Sequence, residues 1–284
     1  MVRKSVKKGV RSAVIAALLF AVALPAGAVQ RKIYDFGVMP LAPPVAMHTL
    51  WVPFIERLSR DTGLDFRLKV YDKMSDFEQD ISRGGPDFIF ANPLQAVVAH
   101  EAQGYVPLVR GSRRVSVELF VRRDSPIRTV DDLANRKIAL VGNKNFCSIL
   151  VRHVVSKEQR GKLNFFHEFS GSTDNVIKSV ILGKVDAGAV FVPDLEMKPK
   201  EIREQLRPLL VTRKIAPHPI CAHPRVSRSV QEAVKRAVLA VAATPEGAEL
   251  LKKIRLPSPV AANYEKDYKS LETIDVKGLS DWGR

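Results

Sequence analysis

Val141-Gly-Asn-Lys-Asn-Phe-Cys-Ser-Ile-Leu150 is the most informative stretch of this chain. The apolar run Lys137-Ile-Ala-Leu-Val141 that leads into it is typical of a buried strand, and the polar turn predicts a helix that starts near Cys147. A helix N-terminus of this kind leaves several backbone N–H groups unpaired and pointing the same way. The helix dipole adds partial positive charge there, so the turn predicts a seat for a small anion.

The first 28 residues have the composition of a secretory signal peptide. Residues 1–11 carry five basic residues and no acidic one, residues 13–24 are apolar, and Ala26-Gly27-Ala28 supplies the small side chains that a signal peptidase requires. The apolar run is about a dozen residues long, whereas a membrane-spanning helix needs about 20. We therefore predict cleavage near Ala28, a periplasmic location, and no stable membrane insertion after cleavage.

The charge balance is strongly basic. The formal net charge is +15 for the whole chain and +10 (40 basic minus 30 acidic residues) without residues 1–28. Such a balance favours anionic partners through long-range steering. The basic residues are scattered and are not interleaved with aromatic ones, so we do not expect nucleic-acid binding.

The chain contains two cysteines, Cys147 and Cys221. In an oxidising compartment they are expected to form one disulfide, to remain as two free thiols, or to place one thiol on a ligand. The sequence leaves these three interpretations open, because it does not give the distance between the two Cα atoms.

Strand and helix patterns alternate along the mature chain. Lys32–Val38, Phe66–Tyr71 and Asp87–Ala91 are predicted strands, and Val45–Thr62 is a predicted helix that Gly63 ends. This order implies an α/β fold in which mainly parallel sheets are flanked by helices.

The pattern restarts in the middle of the chain, which predicts two lobes. Residues 115–122 and 214–224 are extended segments that we expect to cross between the lobes. On this basis the first lobe contains residues 29–114 and 222–284, and the second lobe contains residues 115–221.

Five short motifs carry a family resemblance: Phe36-Gly-Val-Met-Pro40, Gly84-Gly-Pro-Asp-Phe-Ile-Phe-Ala-Asn-Pro93, Val130-Asp-Asp-Leu133, Phe169-Ser-Gly-Ser-Thr-Asp174 and Leu182-Gly-Lys-Val-Asp-Ala187. In this order they resemble the phosphate/phosphite/phosphonate-binding (PhnD-like) substrate-binding proteins of ABC transporters. The resemblance spans nearly all of the mature chain. It implies a two-lobed type II periplasmic binding protein that closes on a ligand, with no catalytic chemistry and no cofactor.

The resemblance also implies ligand-binding positions, each of which matches one residue of this sequence. They are Pro40, Asn92 and Gln95 in the first lobe, and Asn145, Cys147, Ser148, Ser172, Thr173 and Asp194 in the second. The chain departs from the family pattern in three segments that contain these positions. Asn92-Pro93 replaces a Gly-Pro pair, Asn145-Phe-Cys-Ser148 replaces a Ser-Thr-Ser-Gly turn, and Thr173 stands where the family often has His.

The expected function is capture of a small oxyanion between the lobes for an ABC permease. Cys147 supports an alternative, because a thiol at a helix N-terminus is expected to have a lowered pKa and a thiolate prefers soft partners. Periplasmic arsenite-sensing proteins are similar to the same family. The alternative is therefore a sensor that presents a thiophilic oxyanion such as arsenite to the periplasmic domain of a sensor kinase. Cys147 can also be interpreted as a small buried side chain that does not contact a ligand.

One segment of the chain has the residue types of a metal site, and the common enzyme motifs are absent from the sequence. The spacing of His218-Pro-Ile-Cys-Ala-His223 suits a zinc or copper ion. Strand alternation places His218 on the face opposite Cys221 and His223, so we predict a crossing segment and no metal site. His100-Glu101 lacks the second His of a zinc protease, and neither a Gly-x-Ser-x-Gly elbow nor a phosphate-loop motif occurs, so we predict no enzymatic activity.

Overall fold

The computed structural model describes Met1, residues 32–158 and residues 165–280. The predicted signal peptide, residues 1–28, lies outside the described residues apart from Met1. From Lys32 onward the chain forms one compact unit. None of the helices in the described part of the chain is long and apolar enough to cross a membrane.

The first sheet takes strands from both ends of the chain. Its strands are β1 (Ile33–Val38), β2 (Asp65–Lys69), β3 (Phe88–Phe90), β4 (Val106–Gly111), β10 (Pro219–Ala222) and β11 (Pro259–Ala261), in the spatial order β11-β4-β10-β3-β1-β2. β2, β1 and β3 run parallel, and β10 is inserted antiparallel between β3 and β4. The helices of this lobe are α1 (Pro44–Thr62), α2 (Met74–Ser82), α3 (Pro93–Gln103), α8 (Arg228–Val241) and α9 (Pro245–Lys253).

The second sheet is built from the middle of the chain. Its strands are β5 (Val117–Arg122), β6 (Lys137–Leu140), β7 (Phe166–Phe169), β8 (Ala187–Phe191) and β9 (Leu206–Val211), in the order β7-β6-β8-β5-β9. β7, β6 and β8 are parallel, whereas β5 is antiparallel to both of its neighbours. The helices here are α4 (Phe146–Glu158), α5 (Thr173–Ile181), α6 (Val192–Glu196) and α7 (Lys200–Arg203), and a short 3-10 turn covers Asp131–Leu133.

Aromatic side chains fill the core of the first lobe. Trp51, Phe54 and Leu58 recur on one face of α1 and are fully buried, as expected of an amphipathic helix on a sheet. Phe36 of β1 stacks on Phe88 of β3, with ring centroids 6.1 Å apart. α1 ends at Gly63, whose φ of 68° lies in the left-handed region that favours glycine.

Two extended segments join the lobes, residues 112–116 and 212–218. They run antiparallel through one isolated bridge, in which Val115 and Ile215 exchange backbone hydrogen bonds of 2.9 and 2.8 Å. Only a few residues therefore connect the lobes at this point, as in proteins that bend at a hinge.

The C-terminal segment, residues 263–279, contacts both lobes and both crossing segments. It contains α10 (Tyr264–Asp267), the 3-10 turn Lys269–Leu271 and α11 (Val276–Leu279). The Tyr268 hydroxyl donates to the Pro217 carbonyl of the second crossing segment at 2.8 Å. Leu271 and Ile274 belong to one buried cluster with Leu94 of α3 and Leu150 of α4. The C-terminal segment therefore packs against the hinge and stabilises it.

The predicted two-lobed α/β fold is confirmed, and each sheet is mixed. β5 and β10 lie next to the crossing segments and run antiparallel to their neighbours, and β11 runs antiparallel to β4. The lobe boundaries given above stay a prediction; strand pairing assigns Pro219–Ala222 to the first sheet.

Candidate functional site

Three of the predicted site residues meet at the top of the second lobe. Thr173 begins α5, Cys147 lies in the first turn of α4, and Asp194 lies in α6 directly after β8. The Thr173 side chain hydrogen-bonds to Asp194, and the Asp194 charge acts on Cys147. Because β6, β7 and β8 are parallel, the turns after them open at the same edge of the sheet.

Asp194 is half-buried, and its carboxyl group is held between opposing influences. Burial raises the pKa of Asp194, while the positive charges of Arg255 and Lys198 act to lower it. Thr173 contributes in the lowering direction, because its hydrogen bond favours the charged form. Burial outweighs these three contributions, so the pKa of Asp194 lies above its ordinary value.

Cys147 does not have the lowered pKa expected from its place at a helix N-terminus. Burial, and then the Asp194 carboxylate, raise the pKa of this thiol well above its ordinary value. The thiol is only 2 % exposed, and desolvation outweighs the helix dipole because the charged form loses its water. The expectation of a reactive thiolate is wrong for this structure, and Cys147 is an uncharged thiol beneath the cleft.

The remaining predicted residues of the second lobe support their own turns. The Asn145 side chain accepts from the Cys147 backbone N–H at 2.9 Å, so it caps α4. Ser148 is fully buried, and its hydroxyl accepts from the Gly142 N–H at 3.4 Å. Ser172 caps α5 by accepting from the Asn175 N–H at 3.2 Å. These side chains satisfy amides of the turns on which the anion seat was expected.

In the first lobe, Asn92 and Gln95 form a reciprocal capping box at the start of α3. Gln95 donates its backbone N–H to the Asn92 side chain at 2.9 Å, and Asn92 donates its own to the Gln95 side chain at 3.1 Å. The Gln95 amide also donates to the Met74 sulfur at 3.0 Å. Both residues are buried, whereas Pro40, after β1, is half-buried.

An ion pair spans the lobes beside these residues. Lys144, in the turn between β6 and α4, contacts Glu78 of α2, with 3.2 Å between Nζ and Oε2. The Glu78 side chain is only 1 % exposed. The turn that carries Asn145 therefore lies against the first lobe, and the lobes are in contact on this side of the cleft.

A cavity of about 350 Å³ opens between the lobes on the side of the crossing segments. Asp194 is the predicted residue that lines it, and its other lining residues include Arg113, Phe191, His218, Lys252 and Arg255. A cavity of about 460 Å³ between α4, β9 and the C-terminal segment contains none of the predicted site residues. The interlobe cavity is therefore the candidate binding site.

His218 and Arg255 face the second lobe from the first. The His218 ring stacks on Phe90, with centroids 5.7 Å apart. Burial, with the positive charge of Arg255 nearby, lowers the pKa of His218 to about 3, so the imidazole is neutral at physiological pH. The sequence placed His218 in a crossing segment but gave no sign of Arg255, which follows two lysines at a helix end where basic residues are ordinary.

The two cysteines are free thiols, one in each lobe. Cys147 belongs to α4 and Cys221 to the middle of β10, and both are buried. His218 precedes β10 and His223 follows it. Among the described residues, no group of three or more His, Cys, Asp or Glu side chains is placed to hold a metal ion.

Several solved structures share this fold. A protein from Xanthomonas citri, XAC2383 bound to ATP, is 18% identical and superposes with a TM-score of 0.72, covering 89% of this chain and 99% of its own. PhnD1 from Prochlorococcus marinus in complex with methylphosphonate is 16% identical, with a TM-score of 0.68, covering 87% and 98%. A binding protein component of an ABC phosphonate transporter from Pseudomonas aeruginosa is 12% identical, with a TM-score of 0.57 and 82% of each chain covered. No curated protein matches the chain.

The family match covers most of the chain. The family described as the periplasmic substrate-binding protein of phosphonate ABC transporters matches residues 36–268. That range includes both crossing segments and all nine predicted site residues. Members of the family bind a solute in the periplasm for an ABC transporter and are not enzymes, as the sequence predicted. The chain belongs to the phosphonate ABC transporter periplasmic substrate-binding protein family.

Proposed function

We propose that this protein captures a small phosphorus oxyacid, a phosphonate or a phosphate, in the cavity between its lobes. The observation that carries the proposal is the interlobe position of a cavity that joins cationic side chains to Asp194 and neutral His218. Cations balance the negative charge of such a ligand, while neutral hydrogen-bonding groups accommodate a protonated oxygen.

The structural relatives support this ligand class. PhnD1 from Prochlorococcus marinus was solved with methylphosphonate and the Xanthomonas citri protein with ATP. Both ligands carry phosphorus-bound oxygens, and both proteins share the fold over more than 85% of this chain.

We propose different roles for the predicted site residues. Asp194 lines the cavity and touches the ligand, and Thr173, which hydrogen-bonds to Asp194, touches the ligand beside it. Asn92, Gln95, Asn145, Ser148 and Ser172 hold the surrounding turns in place through the caps described above. Cys147 supports the floor beneath Asp194, and Pro40 shapes the turn after β1.

We propose an ABC permease as the partner, which receives the ligand when the lobes open. The periplasmic domain of a sensor kinase is the alternative partner, and with it the ligand would act as a signal.

We also propose that the protein is exported through a signal peptide that is cleaved near Ala28. N-terminal sequencing of the protein purified from periplasm tests the cleavage site, because a mature chain starting at Val29 is expected.

A thermal-shift screen tests the ligand class. The panel contains phosphate, phosphite, methylphosphonate, phenylphosphonate, sulfate and arsenite. A ligand at 100 times its Kd stabilises the folded state by about 2.7 kcal/mol, which raises Tm by about 5–10 °C in a protein of this size. A rise with the phosphorus compounds supports the proposal.

Arsenite tests the alternative ligand class in the same screen. A shift with arsenite alone, lost in Cys147→Ser, would replace phosphonate by the thiophilic alternative. The neutral, buried state of the Cys147 thiol argues against that outcome.

A further inference from the structure

Arg255 has an unusual backbone conformation for an arginine. It follows α9 with a φ of 62°, in the left-handed region that L-residues other than Asn and Asp seldom adopt. The Leu256 N–H donates to the Leu251 carbonyl at 2.8 Å, and the Arg255 N–H donates to the Lys252 carbonyl at 3.1 Å. This pair of bonds is a Schellman motif, in which the left-handed position is usually glycine.

The neighbours of Arg255 fix this conformation. Ile254 and Leu256 are 1 % and 0 % exposed, and both belong to the core of the first lobe. The chain must therefore turn at residue 255, and glycine would do so without the steric cost of a Cβ. The motif explains the backbone conformation but leaves the choice of arginine unexplained, and strained residues of this kind concentrate at functional sites.

Arg255 also carries a charge that no neighbour neutralises directly. Its guanidinium has no hydrogen-bond or ion-pair partner among the described residues, although it lines the interlobe cavity. By contrast, Arg113 pairs with Glu196, and Lys252 lies 3.6 Å from Glu249. The charge of Arg255 is close enough to Asp194 and His218 to act on the pKa of both in the lowering direction. It is thus the lining arginine that is available to a bound anion.

The side of the cavity that the second lobe forms is apolar apart from Asp194. Phe191, Pro193 and Met197 line it from the second lobe, and Met197 is 76% exposed. A cavity of about 350 Å³ falls within the range of about 300–1,000 Å³ typical of sites for organic molecules. An inorganic anion would leave this wall in contact with water, whereas an organic substituent would cover it.

We propose that Arg255 binds the anionic group of an organic phosphonate or phosphate whose apolar substituent lies against Phe191, Pro193 and Met197. This inference rests on the proposed function and deepens it, because it names one anchoring residue and one class of ligand. The left-handed backbone at residue 255 holds the guanidinium over the cavity, and Asp194 disfavours a second negative group on the far side.

Calorimetric titration with phenylphosphonate and methylphosphonate tests the inference. Loss of a charge-assisted contact is expected to weaken binding of both ligands by about 10- to 100-fold in Arg255→Gln. The matched control is Lys253→Gln, which removes the same charge from an exposed neighbour that does not line the cavity. Its affinity should stay within about twofold of the unsubstituted protein. Phenylphosphonate should bind the unsubstituted protein more tightly than methylphosphonate.

Arg255→Gly separates binding from stability. Glycine relieves the left-handed strain, so Tm without ligand should rise by about 2–4 °C while binding is lost. Arg255→Ala should lose binding without this rise, because alanine retains a Cβ. If Arg255 served only to end the helix, its substitution would change Tm and leave the affinity for the phosphonates unaltered.

The outcomes that overturn the inference differ from those that overturn the proposed function. If the unsubstituted protein binds both phosphonates and Arg255→Gln binds them equally well, Arg255 is not the anchor. If methylphosphonate binds as tightly as phenylphosphonate, the apolar wall does not select the substituent. If the unsubstituted protein binds no phosphorus oxyacid, the proposed function fails and this inference fails with it.

Discussion

Replacement of Asp267 by Asn should destabilise the protein more than any exposed charge substitution in the same segment. Asp267 ends α10, and its side chain is only 4 % exposed. One carboxylate oxygen accepts from Arg114 at 2.7 Å, and the other lies 3.0 Å from Arg110 Nε. The second oxygen also accepts from the Asn263 N–H at 3.0 Å. Asn retains the shape and the last contact but leaves two arginines without their counter-charge.

The magnitude follows from the burial of the partners. Removing one member of a buried ion pair costs about 3–5 kcal/mol, because the remaining charge is uncompensated. The Arg110 side chain is 13% exposed, so its charge would be left buried and uncompensated. The Arg114 side chain is 38% exposed, so water can solvate its charge after the substitution. We therefore expect a loss of about 3 kcal/mol in the free energy of unfolding, at the lower end of the range.

Urea denaturation followed by Trp fluorescence measures this loss. With a slope of about 3 kcal/mol/M, the midpoint should fall by about 1 M. Glu265→Gln is the matched control, because Glu265 lies in the same helix and pairs with Lys269 in an exposed i, i+4 contact. Such a pair contributes less than about 0.5 kcal/mol. An equal shift in the two variants would refute the view that Asp267 secures the hinge.

Three further predictions concern the site and the core beneath it. Asp194→Asn should raise the free energy of unfolding at pH 7, because burial raises the pKa of Asp194 and so disfavours its charged form in the folded state. The stability gained by the substitution, measured by urea titration, should shrink as pH falls towards the ordinary carboxyl pKa of about 3.9. Lys144→Met should shift the ligand-free protein towards an open form, because opening returns the buried Glu78 carboxylate to water; an unchanged radius of gyration by small-angle X-ray scattering would contradict this. Gly188→Ala should cost about 1–3 kcal/mol in thermal unfolding, since the added Cβ would lie 2.8 Å from Val176 and 2.9 Å from Val180, whereas Gly142→Ala meets no atom within 4 Å and should be near neutral.

The sequence predicted the regular elements of the fold well. Helix α1 could be predicted because Leu50, Phe54 and Leu58 repeat at helical spacing and Gly63 ends the run. The C-terminal segment, by contrast, shows no helical or strand period in the sequence. α10 and α11 are four residues each, too short to show a period, and their positions depend on contacts with both lobes that local sequence does not encode.

The candidate site was predictable where it depends on turns that follow parallel strands. Thr173 and Asp194 were taken from the family resemblance, and the structure places them next to each other after parallel strands, whereas their contact with a ligand stays a prediction. Arg255 was not predicted, because the role that we propose for it depends on a left-handed conformation imposed by two buried neighbours. The thiol of Cys147 was misjudged for a similar reason: the helix dipole is visible in the sequence, whereas the desolvation that outweighs it depends on tertiary packing.

The position of β10 has a consequence for biosynthesis. This strand separates β3 from β4 although it lies more than a hundred residues later in the chain. The first sheet cannot close until most of the polypeptide has emerged from the ribosome, and pairings between such distant segments form slowly. A chain that completes its sheet late stays unfolded for longer, which fits the export through a signal peptide that we propose.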